Sequence, residues 1–237
     1  LAEFIGTALL VAIGVSFVIV IFGQGSFVQF LLPDEAARRF LAGGLFGLVG
    51  SLITVSPIGR ISGAHINPAV SLAFWLEGKL AWQDAVLFML AQCSGGLLGA
   101  AWLLVWGQIG RSIEFGVTAP GAGVSLWGAL AGETVITFIL VLTIFITAAH
   151  VRTRRFTPWT MPFLFSSMAW LEGPVSGASA NPARSIGPAL IAGTWNDQWI
   201  YILGPMLGSS LAIGFIRLQI VALPRVVVAR LSHFHLA

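Results

Sequence analysis

The sequence predicts an all-α membrane protein, with six transmembrane helices plus two re-entrant half-helices in an inverted repeat. The first observation behind this is charge. Of 237 residues, 57% are hydrophobic and only 9% charged, whereas a soluble domain is about 25% charged. The second is spacing. Residues 4–33, 40–59, 85–110, 134–151, 156–171 and 198–216 contain no Asp, Glu, Lys or Arg, and a bilayer core takes about 20 apolar residues per helix. The third is repetition: Ser62-Gly-Ala-His-Ile-Asn67-Pro-Ala-Val-Ser71 recurs as Ser176-Gly-Ala-Ser-Ala-Asn181-Pro-Ala-Arg-Ser185. These features exclude a soluble enzyme, a disordered tail, a collagen and a disulfide-rich secreted scaffold.

The charge gaps place spans at roughly 1–22, 41–58, 84–106, 126–148, 158–172 and 199–221. Two apolar pieces, about 67–76 and 181–192, are too short to cross and each begins at Asn-Pro; they read as re-entrant half-helices. Turn residues fill the joints, as at Gly23 to Phe40, Gly107 to Ser125 and His150 to Pro158. The chain begins at Leu1 without a methionine, which points to a trimmed N-terminus. The net charge of +3 reflects basic residues in flanking loops and needs no nucleic-acid partner. Arg60, Lys79, Arg152, Arg154, Arg155, Arg217, Arg225 and Arg230 fall on one side, against Arg38, Arg39, Arg111 and Arg184 on the other. That bias predicts cytoplasmic termini.

The two motifs lie 181 − 67 = 114 residues apart, and Glu3 and Glu133 sit in matching first helices. We read one domain over 1–237, with repeats at about 1–110 and 126–221 and a cytoplasmic tail at 222–237. Three spans per repeat invert the second against the first, so the half-helices enter from opposite faces and meet near the midplane. Proline costs no hydrogen bond at a first helical position, and the Asn before it caps well. Gly63 and Gly177 are expected to keep the approaching chain extended, with its carbonyls facing a cavity. Two helix N-termini, each with about half a positive charge, would repel cations there. A neutral molecule would take donors from Asn67 and Asn181.

Two Asn-Pro-Ala motifs, each after Ser-Gly-Ala, with an Arg three residues beyond the second Asn and a Glu in each repeat's first helix, resemble the aquaporin (major intrinsic protein) family over essentially the whole chain. The resemblance implies a six-helix homotetramer in the lipid bilayer with one pore per subunit, passing water and small neutral solutes across a plasma membrane. It implies no enzyme activity, cofactor or metal. The pore motifs are Asn67, Pro68, Ala69, Asn181, Pro182 and Ala183. Pore carbonyls come from Gly63, Ala64, His65 and Ile66, and from Gly177, Ala178, Ser179 and Ala180. Glu3 and Glu133 are structural acids accepting from the loop backbone.

By counting from the asparagines, the family's four-cornered constriction falls on Gly47 (67 − 20), Ala169 (181 − 12), Ala178 and Arg184. Such a Gly/Ala/Ala/Arg filter is wide. It resembles that of the nodulin-26-like branch and related bacterial channels, which pass boric, silicic or arsenous acid; Ser185-Ile-Gly-Pro and Tyr201-Ile-Leu-Gly-Pro205 are also similar. Glycerol is a further expected solute. The competing reading of Gly47 is helix packing, beside Gly43 and Gly50. A strictly water-selective pore and a proton-coupled transporter, which inverted repeats also build, are the alternatives. Cys93 reads as a packed thiol without a disulfide or metal partner, and His150, His233 and His235 lack metal-ligand spacing.

Overall fold

In the computed structural model, residues 1–218 are described; the expected tail at 222–237 and the end of the last predicted span lie outside them. Among the described residues the chain is helical throughout. Spans run over Ala2–Phe22, Glu35–Val55, Trp82–Arg111, Leu126–Ala149 and Ile200–Arg217, each long and apolar enough to cross a bilayer. The fifth span in chain order, Thr157–Leu171, has 15 residues, about 23 Å of helix, and the short helix Gly173–Ser176 continues it. The first span contains a π-turn at Leu10–Gly14, and the third passes through a 3-10 turn at Leu104–Trp106.

The second span begins at Glu35, earlier than its charge gap. Asp34 caps it, its side chain accepting from the Ala37 N–H at 2.6 Å. A cap and an acidic first turn extend a helix into polar surroundings at no cost, so Glu35, Arg38 and Arg39 form its outer turns.

The half-helices are Pro68–Leu76 and Pro182–Ala192, of 9 and 11 residues. At 1.5 Å per residue each covers about half of a ~30 Å bilayer core. Each is held by the other half of the chain: Pro182–Ala192 packs on the third span and Pro68–Leu76 on the sixth. The first span packs on the third, the fourth on the sixth and the second on the fifth. Large apolar side chains such as Trp127 (73% exposed) and Phe163 (74%) cover the outside. In water so large an apolar surface drives aggregation; in lipid it is the solvent-facing side.

Close contacts rest on missing side chains. A Cβ on Gly95 would lie 2.2 Å from the Phe4 carbonyl oxygen, one on Gly99 2.3 Å from that of Ala8, and one on Gly208 2.4 Å from that of Thr134. Lipid tails are as apolar as leucine, so helices associate here by packing of this kind. Gly95→Ala is therefore expected to destabilise the fold by about 1–3 kcal/mol through overpacking against rigid backbone. Thermal unfolding of the detergent-purified protein measures it, and an unchanged midpoint would remove that contact from the account.

Candidate functional site

Each half-helix is approached through a loop with the same unusual backbone. Gly63 (φ 95, ψ 0) and Gly177 (φ 88, ψ 2) are left-handed caps ending short helices. They are not extended, as the sequence reading expected: glycine is used here for positive φ. Beyond them Ala64, Ile66, Ala178 and Ala180 also take positive φ, from 44 to 51. A non-glycine residue in that region costs about 1–2 kcal/mol, so something must hold it.

Two buried carboxylates do. Glu3 accepts from the backbone N–H of His65 (3.0 Å) and Ile66 (2.7 Å), from the Ser62 hydroxyl (2.6 Å) and from Gln92 Nε2 (2.6 Å). Glu133 accepts from the N–H of Ser179 (2.8 Å) and Ala180 (2.8 Å) and from the Ser176 hydroxyl (2.6 Å). Each carboxyl group draws two consecutive N–H groups to one side of its loop. Gln92 is a partner the sequence reading missed. An amide in the middle of the charge-free stretch 85–110 was its signal.

The asparagines meet across the middle. Asn67 Oδ1 accepts from the Ala69 N–H (2.8 Å), capping its helix, while its Nδ2 donates to the Ala180 carbonyl (2.8 Å). Asn181 accepts from Ala183 N–H (3.1 Å) and donates to the Ile66 carbonyl (3.0 Å). Pro68 and Pro182 occupy the first helical positions. Each amide has two N–H donors, so each keeps one beyond its cross-loop bond.

The two loops line two cavities. One of 60 Å³ is lined by Ala64, His65, Ile66, Asn67 and Asn181, with Gly47, Gly50, Thr54 and Leu140. The other, of 280 Å³, is lined by Ala169, Gly177, Ala178 and Arg184, with Gly43 and Glu35. Gly63, Ser179 and Ala180 line neither; the Ala180 carbonyl is taken by Asn67. Phe46 and Phe165 line both cavities, with ring centroids 5.6 Å apart.

Of the four expected corners, three share the larger cavity and Gly47 does not. A Cβ on Gly47 would meet the Met161 carbonyl oxygen at 2.6 Å and Pro162 Cα at 2.8 Å, so this glycine seats the second span on the fifth. The neighbouring Phe46 reaches the junction instead, its ring lying on Gly14 of the first span, where a Cβ would be 2.6 Å from it.

Arg184 is 7% exposed and donates from Nη1 to the Gly116 carbonyl at 2.8 Å. That carbonyl is aimed by a left-handed turn at Glu114, Phe115 and Gly116 (φ 50, 52 and 76), anchored by the buried Phe115 ring. Thr118 bonds Ser185 at 2.8 Å and its carbonyl accepts from Gln198, tying the same segment to the half-helix. His65 sits against the Phe74 ring at 4.4 Å, with Nδ1 on the Ser71 hydroxyl at 3.1 Å. Among the described residues no cluster of His, Cys, Asp and Glu is arranged to hold a metal.

The family model for the major intrinsic proteins matches residues 1–216. The chain belongs to the major intrinsic protein family. Aquaporin AqpM of Methanothermobacter marburgensis is 34% identical, over 90% of this chain and 93% of that protein. Aquaporin TIP2-3 of Arabidopsis thaliana is 36% identical, over 90% and 83%. The solved aquaglyceroporin of Plasmodium falciparum superposes with a TM-score of 0.77 at 21% identity, covering 93% of this chain and 95% of that one. The fold is that of this family, and the chain is an integral membrane protein.

Proposed function

We propose that this protein is a passive transmembrane channel for water and small uncharged solutes, built as one domain from two inverted repeats. The observation that carries this reading is the meeting of two Asn-capped half-helices in the wall of a cavity that shares Phe46 and Phe165 with a second, larger one. Helix N-termini there oppose cations, while amide and carbonyl groups exchange hydrogen bonds with a neutral molecule. Relatives named as aquaporins, and a similar fold named as an aquaglyceroporin, support it. We further assign the constriction to Phe46, Ala169, Ala178 and Arg184. One aromatic wall against two alanines is narrower than the Gly/Ala/Ala/Arg filter, yet it leaves room beside Arg184 for glycerol or a planar acid such as boric acid. Assembly as a homotetramer, cytoplasmic termini and a plasma-membrane location complete the proposal.

Stopped-flow light scattering on proteoliposomes tests it by comparing water, glycerol, urea and boric acid. Water permeability no greater than that of empty vesicles would overturn the reading. Arg184→Ala is expected to preserve neutral flux while raising proton or cation leak at least about tenfold, equivalent to ~1.4 kcal/mol of lost barrier. A pH-sensitive dye inside the vesicles reads that leak. A folded variant without neutral flux would give Arg184 a different role.

A further inference from the structure

The larger cavity is lined by two guanidinium groups, Arg184 and Arg39, and by one carboxylate, Glu35. Arg39 lies one turn after Glu35 on the second span, and the two are paired by a salt bridge. The Glu35 side chain is 61% exposed and that of Arg39 24%, so the acid faces out and the base faces in. The Arg39 stem is fixed by close approach to the backbone, since a Cβ on Gly173 would lie 3.0 Å from its Cδ. Its Nε is buried and unpartnered. Arg184 uses Nη1 on Gly116, and among the described residues no carboxylate is paired with it.

A guanidinium carries five N–H donors in a rigid fork matched to two oxygens. Two such groups stand against one acid in the lining, and Glu133, outside the lining, offsets part of the charge of Arg184 through space. The remaining walls are partly apolar, including Phe22, Phe46 and Phe165. The cavity holds 280 Å³, room for several waters at ~30 Å³ each. We propose that this cavity is a binding site for a small monocarboxylate anion of two or three carbons, held by Arg39 and Arg184 with its methyl end on the aromatic wall. The anion is retained at the entrance by its charge-assisted bonds to the two guanidinium groups. It plugs the entrance, so weak-acid anions throttle neutral flux. This rests on the reading of the larger cavity as part of the pathway.

The test measures water permeability of proteoliposomes at constant ionic strength, replacing sodium chloride by sodium acetate or sodium methanesulfonate on both sides. Methanesulfonate stays ionised at every working pH and so reports the anion alone. By mass action, water permeability falls about twofold once the anion reaches its Kd. Arg39→Gln is expected to raise the half-inhibiting concentration about tenfold, the worth of a charge-assisted hydrogen bond. Glu35→Gln, at an exposed position, is expected to lower it by freeing Arg39, and so decides the matter even where Arg39→Gln does not fold. Wild-type protein that conducts water but ignores both anions would overturn the proposal, as would equal inhibition in wild type and Glu35→Gln. Protein that conducts no water at all removes the channel reading first, and the plug with it.

Discussion

Glu133→Ala is expected to cost about 3–5 kcal/mol of stability. The substitution strips the acceptor from the Ser179 and Ala180 N–H groups and from the Ser176 hydroxyl, which lie 2.6–2.8 Å from the carboxylate. Each buried donor left unpaired costs about 1–3 kcal/mol, and the positive φ at Ala178 and Ala180 loses its restraint. Glu133→Gln keeps one acceptor oxygen and is expected to lose less. Thermal unfolding of the purified protein, followed by tryptophan fluorescence, measures both. If the alanine variant unfolds at the wild-type temperature, the carboxylate is not what holds the second loop.

Phe46→Ala is expected to raise glycerol and boric acid flux about tenfold relative to water, by removing the aromatic wall shared by the two cavities; that ratio corresponds to ~1.4 kcal/mol of steric barrier. Gly47→Ala should behave differently. Its new methyl meets the Met161 carbonyl oxygen at 2.6 Å, so about 1–3 kcal/mol of stability is lost through overpacking, with fluxes per folded protein conserved. Parallel stopped-flow and unfolding measurements on the two variants separate filter from packing. Unchanged solute selectivity in Phe46→Ala would return the corner to another residue.

The contrast between these neighbours shows how far the residues could be read. Span positions follow from charge gaps because a bilayer penalises charge wherever it falls, and the half-helices follow from Asn-Pro because capping is local. The corner on the second span is not local. It depends on the path the chain takes from the second span to Asn67, through the short helix Pro57–Ser62, and a shift of one residue turns the helix face by about 100°. The Gly116 carbonyl was also out of reach, since a backbone acceptor leaves no residue-type signature. Gln92, which the sequence reading missed, did leave a signal: a polar amide amid apolar helix asks for a partner.

The crossed amide bonds, Asn67 to the Ala180 carbonyl and Asn181 to that of Ile66, have a kinetic consequence. They stitch the two halves together at their centre. A carrier must rock one half against the other on each cycle, on the microsecond-to-millisecond scale of collective motions. Here rocking would break both stitches and strand buried donors and acceptors at about 1–3 kcal/mol each. Such a pathway has no empty carrier to reset. Its throughput should grow linearly with the gradient, run equally in either direction and show no acceleration by solute on the far side.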